Sequence, residues 1–172
     1  YAESRDGIHW TRPSLGQVEF NGSRDNNILD LGGAAKFNPF RDETPATSAE
    51  ARYKGVGFYQ SDKVRGLVAL QSPNAIRWTW MTDAPVITDG AFDSHNVAFW
   101  DGFRGQYTAL YRDFAQGVRS LKHATSKDFI QWTPGQWVDY GDAPQEHLYT
   151  NATVPYFRAP HIHLAFPKRF LP

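Results

Sequence analysis

Cysteine is absent from the 172 residues, so the chain holds no thiolate nucleophile, disulfide or thiolate metal site. Neither a glycine-rich phosphate cradle nor a Gly-x-Ser-x-Gly elbow occurs. What remains for chemistry is a set of carboxylates beside strand-like apolar runs. Asp93 precedes HNVAFWD, Glu146 lies in PQEHLYTN ahead of the next run, and Asp42 follows AAKFNPF next to Arg41. Two carboxyl groups facing each other across a bond can divide the work of hydrolysis, one giving a proton while the other attacks or activates water. A third close by shifts the proton affinity of the others. Each also has a plainer reading: Asp93 as a turn cap, Glu146 as a surface glutamate and Asp42 as a loop carboxylate.

His95, Asn96, Arg41, Arg158 and His161 lie near the same runs and could bind hydroxyl or carboxylate groups of a ligand. Arg158 suits an acidic group through its forked donors, although an ordinary structural role is open to each of the five. His161 and His163 alternate in HIH and so share a face. No third metal ligand is indicated, and neither a metal nor an organic cofactor is expected. Asn21 in NGS and Asn151 in NAT fit the glycosylation sequon, a pattern that chance supplies often. The 18 Lys and Arg balance the 18 Asp and Glu without a charged block, which argues against nucleic acid or an anionic membrane surface as partner. No apolar run is long enough to cross a bilayer as a helix.

The elements that must position these groups are strands. Aromatics make up 15% of the chain and 14 Gly and 11 Pro accompany them, a composition that favours short strands and turns over helices. An all-β protein is expected. A repeat organises it: SRDGIHWT from Ser4, SPNAIRWT from Ser72 and SKDFIQWT from Ser126 share the pattern S-x-[D/N]-x-I-x-W-T. The Ser and Asp or Asn side chains are suited to fixing a turn by bonding local amides. The Ile and Trp alternate and would face one side, and Trp10, Trp78 and Trp132 are expected to be buried between sheets.

The Trp spacings of 68 and 54 residues match a four-stranded propeller blade with variable loops. Before the third motif stand HNVAFWD, GQYTALYRD and GVRSLKHATS, and GQWVDY follows it. Before the second stand AAKFNPF, ARYKGVGFYQ and VRGLVALQS, with APVIT as the expected fourth strand. These readings give one β-propeller domain with blades at about 1–30 (partial), 31–88, 89–142 and 143–172 (partial). About two complete blades thus stand between two partial ones. Such a set is expected either to be a piece of a longer propeller or to complete itself, within a subunit or as a homo-oligomer joined through open blade edges.

The motif, the Asp93 entry into a strand and the run Gly105, Tyr107, Tyr111 resemble the five-bladed propeller glycosidases of the invertase and fructanase type and of the arabinanase and xylosidase type. The likeness spans most of the chain, but its specific part is the blade repeat. It implies a fragment of a five-bladed propeller acting on carbohydrate, and a secreted or periplasmic setting. It also implies that the catalytic carboxylates come from innermost strands around a central funnel, with Asp93 the best carboxylate, Glu146 the proton donor and Asp42 the tuning acid. One essential Asp of those families belongs to a blade represented here only by its last strands. The alternative from another class is a non-catalytic carbohydrate-binding or interaction propeller, with the aromatics as contact surface.

Overall fold

Gly, Pro, Asn and Asp break the β-branched and aromatic runs into short pieces. The computed structural model, which describes residues 1–171, folds those pieces into strands with a single 3-10 turn at Ala49–Ala51. Four antiparallel sheets result. The first pairs β1 (Glu3–Ser4) with β2 (Trp10–Thr11). The second is a meander of β3 (Ala35–Arg41), β4 (Tyr53–Gln60), β5 (Arg65–Ser72) and β6 (Thr79–Trp80). The third repeats it with β7 (Val97–Asp101), β8 (Gln106–Ala115), β9 (Val118–Ser126) and β10 (Gln136–Trp137). The last is the hairpin of β11 (Val154–Tyr156) and β12 (Ala159–Leu164).

The two larger sheets are registered alike, with Tyr53 opposite Ser72 and Tyr107 opposite Ser126. That Ser begins the repeated motif, and its turn is built the same way three times. Ser4, Ser72 and Ser126 each accept a bond from the amide two residues on. Asp6, Asn74 and Asp128 each accept, through Oδ1, the amides two and three residues on. The indole N–H of Trp10, Trp78 and Trp132 donates to the carbonyl three residues back, at 3.0–3.1 Å. The residue supplying that carbonyl sits in the left-handed region every time: Gly7 at φ 76°, Ala75 at 61° and Phe129 at 69°.

Two expectations about the motif need correction. Trp78 is 9% exposed and Trp132 is partly buried, but Trp10 is 62% exposed, because only two strands stand at its sheet and nothing packs over the indole. Ile8 and Ile130 are exposed too, so the Ile position is not a core position. The fourth strand of the second sheet is Thr79–Trp80 and not APVIT. Pro85 has no N–H to give a ladder, and the segment holds only an isolated bridge between Ile87 and Leu67.

The main core lies between the two four-stranded sheets. Val56, Leu67, Ala69 and Ile87 meet Ala98, Tyr107, Ala109, Tyr111, Ala124 and Phe129, with Phe92 between them. Behind the second sheet, Val68, Leu70 and Trp78 pack under Leu29, Leu31 and Phe37. The far face of the third sheet, with Val97, Phe99 and Leu110, is covered only in part. His163 from β12 meets Phe99 edge-on there, at 5.1 Å between ring centroids.

Candidate functional site

Alternation along β8 sends its side chains to opposite faces, and the candidate residues sort by where they meet this strand. Tyr107 points toward the second sheet. Its hydroxyl donates to Asp42 Oδ2 at 2.8 Å and accepts from the Lys54 ammonium at 2.7 Å. Lys54 also reaches Asp42 directly at 2.5 Å, with Thr44 and Thr47 on the same carboxylate. Burial alone would push the Asp42 carboxyl up, but the bonds from Lys54, Thr44 and Thr47 outweigh it and bring the pKa down to about 2. Burial raises that of the Tyr107 phenol. Asp42 is 4% and Lys54 6% exposed, so this network locks the two sheets together. The neighbouring Arg41 is exposed.

Five residues further along β8, Arg112 faces the other way. It is buried, and its Nε donates to Asp93 Oδ1 at 2.7 Å, while its guanidinium lies 4.8 Å over the Tyr149 ring. The Asp93 side chain is 45% exposed, so one oxygen is clamped from below while the carboxylate stays open to solvent. Ser94 donates to the Tyr149 carbonyl at 2.7 Å, which ties the approach to β7 to the segment that carries Glu146. Glu146 pairs with Arg169 at 2.6 Å. The next two residues anchor to the start of β9: His147 Nδ1 accepts the Arg119 amide, and the Leu148 amide donates to the Arg119 carbonyl. Arg119 lies opposite Phe114 and Arg112 opposite Leu121, so the anchors of Glu146 and Asp93 are two residues apart on one hairpin, about 7 Å along the strand.

The eight sequence candidates therefore do not form one site. Asp93, His95, Asn96 and Glu146 gather at one end of the third sheet. Arg41, Asp42, Arg158 and His161 lie at the other, and Tyr107 and Arg112, which hold the two acids, are about 17 Å apart along β8. Asp42 is thus no neighbour of Asp93. Arg158 turns back over Phe157 in the exposed β11–β12 turn, and the His161 ring meets Phe103 at a tilt of 52°. His95 Nδ1 accepts the Ala152 amide, and Asn96 is fully buried with its amide donating to the Phe92 carbonyl. The sequon residue Asn151 is 1% exposed and donates to the His95 carbonyl, which puts its amide to structural use.

Several functional-looking groups escaped the sequence reading. Trp137, Asp139 and Tyr140 line, with Glu146 and Ser120, an open cleft of about 540 Å³. Their only signal was the run GQWVDY, which reads as a strand. Asp101, at the end of β7, is fully buried. It accepts Arg104 at 2.7 Å and His163 at 3.1 Å, and burial together with Arg104 lowers the His163 pKa against the pull of Asp101. Among the described residues no cluster of three or more His, Cys, Asp or Glu could hold a metal, and no helix is long and apolar enough to cross a membrane. No family model matches the chain, and no curated protein does.

Proposed function

We propose that the chain is part of a β-propeller acting on carbohydrate, with Asp93 and Glu146 as its carboxyl pair. The repeated meander sheets packed face to face support the propeller, and the likeness of the blade motif to the five-bladed glycosidases supports the chemistry. The observation that carries the site is Asp93: a solvent-open carboxylate fixed by a buried arginine, at the sheet end to which Glu146 is also anchored. A carboxylate so held keeps its orientation while a ligand approaches, as a nucleophile or base requires. The Glu146 partner, Arg169, is 61% exposed and free to swing away.

The test is turnover of a panel of aryl furanosides and pyranosides by the chain and by Asp93→Asn. The substitution removes the counter-charge of the buried Arg112, so it should lower the melting temperature while leaving the chain folded, and cut turnover per folded molecule by about 10²–10⁴. Glu50→Gln, exposed and in the 3-10 turn beside the Asp42 rim, should change neither. Equal losses in both variants, or a turnover loss in Asp93→Asn that only follows its loss of folded protein, would make Asp93 a structural cap.

A second reading has its own observation. Trp137 and Tyr140 are 45% and 43% exposed in the Glu146 cleft, where aromatic faces can stack on a sugar without any reaction. Binding that survives Asp93→Asn but falls with Trp137→Ala, with no turnover by the parent, would favour a binding module.

A further inference from the structure

The rim that carries Asp93 and Glu146 holds three guanidiniums against two carboxylates. Arg112 is paired with Asp93 at 2.7 Å and Arg169 with Glu146 at 2.6 Å. Arg119, at the start of β9, has no acidic partner among the described residues, and its side chain makes one bond, from Nη1 to His147 Nδ1 at 3.3 Å. Its Nε is buried without an acceptor, and Nη2, which no acceptor meets either, is open to solvent. Buried donors are nearly always paired, so this guanidinium does little for the hydrogen bonding of the fold itself. Three rings hold it in place: Cζ lies 4.6 Å from the Phe170 centroid, 5.5 Å from that of Phe114 and 5.8 Å from that of Tyr149. Aromatic faces orient the guanidinium plane and leave its charge uncancelled, with an outer edge turned to an incoming anion.

We propose that Arg119 sets the specificity of this rim by binding the carboxylate of an acidic sugar, a uronate, while the neighbouring part of the ligand lies at Asp93. The inference rests on the carbohydrate reading of Asp93 and Glu146. Arg119 lies opposite Phe114 and Arg112 opposite Leu121, so the two arginines leave the same face of the β8–β9 hairpin. Both reach the Tyr149 ring, Arg112 at 4.8 Å and Arg119 at 5.8 Å. One clamps Asp93 and the other stands about 7 Å further along, close enough for a single ligand to touch both the acid and the open guanidinium. A neutral sugar would leave Arg119 without a counter-charge. A carboxylate supplies it, and a charge-assisted bond of this kind is about twice as strong as a neutral one. The surplus positive charge also steers an anion toward the rim. The acidic group that the sequence assigned to Arg158 thus goes to a different arginine, since Arg158 lies over Phe157 in an exposed turn at the other end of the third sheet.

The test is calorimetric titration of the chain with uronate oligosaccharides and with the same oligosaccharides after reduction of their carboxylates to alcohols. The uronates should bind at least about tenfold tighter than their reduced forms, and the difference should shrink with added salt. Arg119→Met keeps an apolar stem against the rings and removes the charge, and should bring the two affinities level. Arg119→Lys, a point charge without the fork, should keep part of the difference, and Arg158→Gln all of it. Equal binding of the two forms by the parent, or a difference that outlasts Arg119→Met in folded protein, overturns the inference and leaves the carbohydrate reading standing as long as the reduced form binds. Should Arg119→Met fail to fold, an undiminished difference in Arg119→Lys overturns it instead. Tighter binding of a sulfated oligosaccharide than of the uronates overturns the carboxylate. A chain that binds neither form and turns over none of the neutral aryl glycosides overturns the carbohydrate reading itself.

Discussion

Lys54 and Asp42 sit where neither side chain can reach water, so the pair is held by its bonds to each other, to Tyr107 and to the two threonines. Lys54→Ala leaves an uncompensated buried carboxylate and should cost about 3–5 kcal/mol in urea unfolding, whereas Asp42→Leu with Lys54→Met should recover much of that loss. The same carboxylate sets an acid limit. Its folded pKa of about 2 lies below the unfolded value of about 3.9, so its contribution of about 2 kcal/mol is complete above that unfolded value and is lost as pH falls toward 2. Asp42→Asn should flatten the denaturation midpoint between pH 5 and pH 2.5. Tyr107 and Tyr111 were legible as a pair from Gly105-x-Tyr-x-x-x-Tyr, but their partners were not. Asp42 and Asp89 lie 65 and 22 residues earlier in the chain, and only the packing of sheets brings the hydroxyls to them.

At the level of elements, the turn is the best-specified piece of this chain. Ser and Asp or Asn satisfy local amides in a pattern independent of distant residues, which is why three copies could be recognised and why the meander sheets follow from them. Ala75 occupies the left-handed position that Gly7 fills in the first copy. Ala75→Gly should therefore stabilise the protein or leave it unchanged, by up to about 1 kcal/mol in thermal unfolding, while Phe129→Gly should destabilise it, since that ring is fully buried between the sheets. Gly135 has the opposite constraint: a Cβ there would fall 2.0 Å from the Tyr111 hydroxyl, so Gly135→Ala should break the bonds that Asp89 makes to that hydroxyl and to the Gly135 amide. Burial of the motif Trp was less legible. It depends on whether another sheet lies opposite, and that is a property of neighbours in space.

For the whole molecule, the candidate residues were chosen for lying near strand ends, but a strand has two ends. The sequence shows that Asp42 follows one strand and Asp93 precedes another. Parallel placement of equivalent strands in successive sheets then carries the two acids apart, to opposite rims. Trp78→Ala should cost about 3–5 kcal/mol because the second sheet closes over that indole. The three motif turns also form an internal ruler for amide hydrogen exchange. Ile8 and His9, Ile76 and Arg77, and Ile130 and Gln131 donate bonds of the same pattern, to a carboxylate oxygen in the first and third turns and to the Asn74 amide oxygen in the second, so the first and third are matched in acceptor and a difference in protection between them reports how firmly the surrounding sheet is held. The pair at 8 and 9, on a two-stranded sheet, should exchange fastest, and the pair at 130 and 131, beside the buried Phe129, should be among the slowest.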